Sequence, residues 1–262
     1  DETGWTNDIE LTSANATTIT VSALPNPGSF AAANTDYQST DLSWTNQTHS
    51  SGSGSYSVIV LRKTSAFSGA DRPVNGTSGS TYNTAGNIGG ATVAYYGRNT
   101  TLDESSLSAG TTYYYEIYSE NYGYYSSGSA ISVTTDAAPS ISATASLSTF
   151  IGCAGSAGTE QSFTISGSNL VADITVTAPS GYEVSKSSGA SYSGDGGSVT
   201  FSPSSGTVAS SAVYVRLSSS ASNGASGNIA CTSTGATTVN EATGSGTVES
   251  APNTQASSFS SS

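Results

Sequence analysis

Leu107 stands six residues ahead of Tyr113, and Tyr113 opens the run Tyr114-Tyr115-Glu116-Ile117-Tyr118. A tyrosine placed this way at the start of a strand turns its hydroxyl back to a backbone group a few residues upstream. The buried phenol is then satisfied, and the crossover between two stacked sheets is fixed. This corner has a use only where two antiparallel sheets face each other, so it narrows the chain to a β-sandwich more sharply than any other segment.

The surrounding sequence agrees. Between Pro25 and Asp136 short alternating runs are separated by Gly, Asn, Pro and Ser, the rhythm of antiparallel strands and turns. Asp41-Leu42-Ser43-Trp44-Thr45 puts Leu42 and Trp44 on one face, with Trp44 as core anchor. Tyr56 to Lys63 is apolar on both faces, as a central strand is, and Thr92–Tyr96 and Ile131–Thr135 add further strands. Residues that build surface helices are scarce, with Lys plus Arg numbering only 6 and Met absent, so nothing in the pattern predicts a helix. The absence of Met also marks the chain as a processed or excised piece.

With Trp44 on an early strand, Leu107 and Tyr113 at the corner and a last strand at Ile131–Thr135, residues 25–136 resemble a fibronectin type III domain. Pro73–Thr77, Ile88–Val93 and Tyr95-Tyr96-Gly97 are similar to such modules in secreted and surface multidomain proteins of Bacteroidetes.

After Ala137-Ala138-Pro139 aromatic density falls and Ser and Gly rise, which marks a second domain over 139–249. Gln161–Gly167, Ile174–Thr177, Tyr182–Val184, Val199–Phe201 and Val213–Leu217 alternate as strands, and Pro179 breaks the second of them. Ser166–Leu170, Ala178–Ser185 and Val213–Leu217 look like an immunoglobulin-like module that accompanies those fibronectin type III domains. The expected fold is therefore all-β, two tandem antiparallel sandwiches in a rod-like unit. Family members serve as repeat spacers, so the resemblance implies a structural role.

The ends echo each other. Leu11–Ile19 lines up with Cys231–Val239, and each is followed by a similar joint, Ala23-Leu24-Pro25-Asn26 and Ala251-Pro252-Asn253. Residues 1–24 read as the closing hairpin of another immunoglobulin-like module, with Ile9 and Leu11 against Ile19 and Val21. Residues 250–262 read as a linker and opening strand. Chance similarity of Ser/Thr-rich strands, or a cut from a longer array in mid-repeat, explains the echo equally well. An isolated hairpin is marginal in water. The expected partner is therefore a neighbouring copy: a terminal strand pairs with its open sheet edge, and a head-to-tail contact that does not close on itself makes a homo-polymer, the subunit of a fibre or surface array.

Chemistry is harder to find. The only histidine, His49, lies in a Gly/Ser-rich turn and reads as a solvated loop residue. Asp103-Glu104 reads as a solvated turn and Asp195 as a hairpin signal, and no Cys/His set has metal-ligand spacing. No catalytic residue, metal or cofactor is expected. A net charge of −12 with no basic run opposes nucleic-acid binding, and no stretch approaches the ~20 apolar residues that span a bilayer.

Cys153 and Cys231 in a Lys-poor, Ser/Thr-rich chain point to an extracellular or cell-surface location and one disulfide between them. Two buried free thiols are the alternative. Asn15, Asn46, Asn75 and Asn99 head glycosylation sequons, in a number that chance supplies in this composition. Exposed rings stack on sugar faces, and Tyr122, Tyr124 and Tyr125 lie in or near a loop. Glycan binding is thus the alternative to a purely structural role, beside that of a passive spacer in a large secreted enzyme.

Overall fold

The computed structural model describes residues 9–10, 20–21, 23–49, 54–144 and 146–250. It divides into two compact units, Asp1–Ala137 and Ala138–Ser262. Both are built mainly of antiparallel sheets, and the described residues are all-β apart from one short helix and a 3-10 turn.

Unit 1 begins with β1 (Ile9–Glu10) and β2 (Thr20–Val21), in which Ile9 pairs with Val21 and Glu10 with Thr20. The rest of the proposed terminal hairpin, Leu11 and Ile19 included, lies outside the described residues. The sandwich proper starts at β3 (Gly28–Ala33), β4 (Thr40–Thr45) and β5 (Ser57–Lys63). It continues through α1 (Gly79–Ala85), β6 (Asn87–Ile88), β7 (Ala91–Gly97) and β8 (Thr101–Glu104). It closes with β9 (Thr112–Asn121), β10 (Tyr124–Tyr125) and β11 (Ser129–Thr134).

One sheet runs β3-β4-β8. The other runs β10-β9-β5-β7-β6, with β11 also on β9. The sequence alternation decides which faces meet: Leu42 and Trp44 of β4 pack on Val58 and Val60 of β5 and on Tyr113, Tyr115 and Ile117 of β9. Trp44 is only 4% exposed, and its indole N–H donates to Asn46 Oδ1 at 2.9 Å, so truncating it to Ala would cost about 3–5 kcal/mol. At the corner, the Ser108 N–H donates to the Tyr113 hydroxyl at 2.8 Å, over a buried Leu107.

The larger sheet is covered on its other face too. Residues 64–90 leave β5 at one end of the sheet, cross that face and return to β7. They place Phe67, Tyr82 and Ile88 against Ile59, Leu61 and Tyr118. This explains why β5 is apolar on both faces. Asp71 closes the root of the excursion: Oδ2 accepts from Lys63 Nζ at 2.7 Å and from the Ser68 N–H at 2.8 Å, and Oδ1 from the Gly90 N–H at 2.8 Å.

Helix α1 lies in this cover, contrary to the strand-only expectation. Its seven residues have weak helix propensity, so packing of Tyr82 in the outer cluster sustains it, and Gly86 ends it in the left-handed conformation.

Unit 2 contains β12 (Ser140–Thr144), β13 (Ile151–Cys153), β14 (Gln161–Ser168), β15 (Ile174–Thr177) and β16 (Tyr182–Ser185). Then come β17 (Ser198–Phe201), β18 (Val208–Leu217), β19 (Asn228–Thr232), β20 (Val239–Ala242) and β21 (Thr247–Glu249). Its two four-stranded sheets, β12-β14-β18-β16 and β17-β15-β19-β20, enclose a core of Phe163, Ile165, Ile174, Val176, Val213 and Val215. Parallel β13 and β21 seal one end, where Phe150 meets Tyr182 edge to face at 5.2 Å.

The expected disulfide is absent, and both cysteines are free thiols. Cys231 sits in β19 beside Val176 and faces the core, whereas Cys153 is exposed on β13 beside Glu249. The sheets carry the two residues into different structural layers, which nearness in sequence composition could not reveal.

Candidate functional site

At one end of unit 1 the β4–β5 loop, the β7–β8 turn and the β9–β10 hairpin converge. Sandwich domains commonly place variable recognition loops at such an end. The covering excursion reaches the same end: the Gly76 N–H donates to Gly123 O at 2.9 Å, and Tyr125 donates its N–H to Asn75 Oδ1 at 3.0 Å and its hydroxyl to Thr77 O at 2.8 Å. Between these segments lies a cleft of about 260 Å³ lined by His49, Tyr56, Ser57, Ser78, Tyr96, Arg98, Glu120, Asn121 and Tyr122.

Its floor is fixed by Glu120, which is almost wholly buried. Oε1 accepts from the Gly123 N–H at 2.8 Å and Oε2 from the Tyr96 hydroxyl at 3.1 Å. Burial, reinforced by the Glu120 charge, holds the Tyr96 phenol above its ordinary pKa, so it stays a donor. Gly79 lets α1 begin against the Tyr96 ring, since a Cβ there would lie 2.2 Å from ring carbon Cε2. Asn46, besides accepting from Trp44, donates through Nδ2 to Arg98 O at 2.7 Å and so holds the β7–β8 turn.

The rim is Tyr122. The β9–β10 hairpin pairs Asn121 with Tyr124, leaving Tyr122 and Gly123 as a two-residue loop with φ of +48° and +83°. Positive φ at both positions defines the type I′ turn, which favours Asn-Gly. Tyrosine at the first position carries roughly 1–2 kcal/mol of left-handed strain. Its side chain recovers little of that by packing, because the residue is 76% exposed.

The other sequence candidates are distributed differently. Of the three proposed stacking tyrosines only Tyr122 reaches the cleft. Tyr125 belongs to the outer core beside Tyr82, at 6.2 Å between ring centroids, and cannot serve as a platform; Tyr124 does not line the cleft. Asn15 lies outside the described residues, as do residues 251–262. Asn75 and Asn99 are exposed, and Asn46 is half-buried with its Nδ2 donating to Arg98 O at 2.7 Å.

His49 lies in the loop, half-buried, with its ring 4.2 Å from that of Tyr56. Glu104 is not in a solvated turn. It is buried at the end of β8 and paired with Arg62. Asp195 accepts from the Gly181 N–H at 2.7 Å and from Ser218 and Ser220, tying loops of unit 2 together.

Among the described residues no hydrogen bond joins the His49 imidazole to Glu120 or to a nucleophile, and no three His, Cys, Asp or Glu side chains gather as metal ligands. Among the described residues no helix is long and apolar enough to cross a membrane. The cleft offers fixed donors and acceptors and an exposed ring, which is binding chemistry.

No family model matches the chain, and no curated protein matches it. Among solved structures, a two-domain fibronectin type III segment of chicken tenascin is 13% identical at a TM-score of 0.31, over 84% of this chain and 100% of that one. A fibronectin type III domain from the human KIAA0970 protein is 15% identical at 0.29, over 44% and 76%. Chitinase ChiA74 from Bacillus thuringiensis is 17% identical at 0.28, over 75% of this chain and 27% of the chitinase. The fibronectin type III-like character of unit 1 rests on its own strand order, three strands against a sheet centred on β5 and β9.

Proposed function

We propose that this chain is a non-catalytic extracellular adhesion module, a fibronectin type III-like sandwich followed by an immunoglobulin-like one, that binds carbohydrate in the loop-end cleft of unit 1. The observation that carries the reading is Tyr122. The turn favours Asn or Gly there, the ring adds little to the core, and the backbone is strained, so the fold itself gives no reason for a tyrosine. An exposed ring at the mouth of a cleft lined with hydroxyl, amide and carboxylate groups supplies the apolar face and polar partners that a sugar ring needs. Loss of the expected disulfide removes one argument for an extracellular location; the composition and the sandwich architecture remain in support.

Affinity gel electrophoresis against a panel of immobilised polysaccharides tests the reading. Retardation of the protein on at least one of them, abolished by Tyr122→Ala, is expected. Equal mobility of the two proteins on every gel would refute it.

Head-to-tail assembly into a homo-polymer is a second reading, favoured by the pairing of Ile9 with Val21 in a two-stranded sheet of its own. Electron microscopy of the chain with and without residues 1–24 tests it. Fibres that persist after the deletion would remove the terminal strands from that role.

A further inference from the structure

The chain has only 6 basic side chains against 18 acidic ones, and five of the six are committed. Arg62 pairs with Glu104, Lys63 with Asp71 and Arg72 with Glu116; Arg216 pairs with Glu183. Lys186 donates to Thr200 O at 3.1 Å and lies over the Phe201 ring. Arg98 is the exception. Among the described residues its guanidinium has no hydrogen bond or ion pair; it lines the cleft within electrostatic reach of the Tyr96 phenol.

In a chain of net charge −12 an unpaired cation has many carboxylates to choose from. The cleft's own carboxylate, Glu120, does not take it. That group is held by Tyr96 and Gly123 and is not within ion-pair distance of Arg98. The backbone that carries Arg98 is also fixed, because Arg98 O accepts from Asn46 Nδ2 at 2.7 Å and the next residue's N–H donates to the Tyr95 hydroxyl at 2.7 Å. Arg98 is thus fixed at its backbone and exposed to solvent as a residue.

We infer that the cleft selects an acidic saccharide, one whose uronate carboxylate pairs with Arg98 while its ring face rests on Tyr122 and its hydroxyls meet Glu120 and Asn121. This rests on the carbohydrate reading above and adds the charge of the ligand to it. A planar guanidinium matches a carboxylate through two parallel hydrogen bonds, a geometry a neutral sugar cannot offer. The overall negative charge opposes approach of any polyanion, but that field is screened beyond about 8–10 Å in physiological salt, whereas the Arg98 contact acts at hydrogen-bond range. The excess of acid elsewhere on the surface then confines acidic ligands to this end of unit 1.

The test measures binding of a linear oligogalacturonate and of its carboxyl-reduced, neutral counterpart to wild type, Arg98→Gln and Arg98→Lys by titration calorimetry. Arg98 supports no other side chain, so all three proteins should fold, with matching circular dichroism as the check. Wild type is expected to prefer the uronate by about tenfold or more. Arg98→Gln is expected to lose that preference while retaining its affinity for the neutral form, with Arg98→Lys in between. Equal affinity of wild type for both oligosaccharides overturns the charge selection and leaves carbohydrate binding standing. A uronate preference unchanged in Arg98→Gln removes Arg98 from it. If neither oligosaccharide binds while a neutral polysaccharide does on the gels, uronate selection fails alone; if no polysaccharide binds at all, both readings fall.

Discussion

Gly79 sets two opposing effects against each other. Replacing a helical glycine by alanine ordinarily gains up to about 1 kcal/mol from backbone entropy, and less at the first position of a helix. Here the new Cβ would lie 2.2 Å from Cε2, 2.8 Å from Cδ2 and 2.9 Å from Cζ of Tyr96. Carbon atoms settle at about 3.5–4.0 Å, so ring or helix has to retreat by roughly 1.5 Å. The ring is held by its hydrogen bond to buried Glu120 and by the outer core, and overpacking of this kind costs about 1–3 kcal/mol.

The clash wins, and Gly79→Ala should lose about 1–2 kcal/mol, or roughly 3–8 °C in the melting temperature of unit 1. Thr81→Ala, at an exposed position of the same helix, should gain a few tenths of a kcal/mol. Urea and thermal unfolding followed by tyrosine fluorescence measure both. A Gly79→Ala protein as stable as wild type, or more so, would refute the claim that α1 is docked on Tyr96.

Tyr113→Phe leaves the Ser108 N–H without its acceptor and should cost about 1–2 kcal/mol by urea unfolding; a loss below about 0.3 kcal/mol would remove the corner from the stability of unit 1. Cys153 should react with a maleimide in the native protein, whereas Cys231, buried and with its thiol pushed up to about 11, should react only in denaturant; reduction should leave the intact mass unchanged. Hydrogen bonds from Lys63 and Ser68 hold the Asp71 carboxyl far below its ordinary pKa of 3.8, so the unfolded chain binds its proton first as the solution is acidified. The stability Asp71 supplies is complete above that ordinary value and is lost as pH falls below it, so Asp71→Asn should flatten the decline of stability between about pH 4 and 2; an unchanged slope would contradict the assignment.

What the sequence revealed was local. The tyrosine corner depends on a fixed spacing within one segment, and the face of β4 that carries Leu42 and Trp44 depends only on alternation. The cover over the larger sheet could not be read that way. Its residues are mostly Gly, Ser, Thr and Asn, and its few apolar side chains are meaningful only against Ile59 and Tyr118, which arrive from other strands.

The cleft was half legible. Tyr122 stood out as a loop aromatic, but Tyr125 in the same run turned out to be core, because the hairpin's second strand folds under the excursion. Arg98 gave no sign at all. Its isolation appears only when the other cations find partners 8 to 44 residues away, and no short motif encodes that difference.

Covering the outer face of the larger sheet also changes how water can reach it. Val58, Ile59, Val60 and Leu61 are all fully buried, so β5 has no wet side, and β9 is close to the same condition. Solvent can attack this sheet from its edges, at β10 and β11 on one side and at β6 and the length of β7 beyond it on the other. Amide exchange in deuterated water should therefore advance inward strand by strand, with β5 and the middle of β9 last and both parities of residue equally slow. A sheet with one solvated face would instead open from the face, through exchange that does not follow strand order.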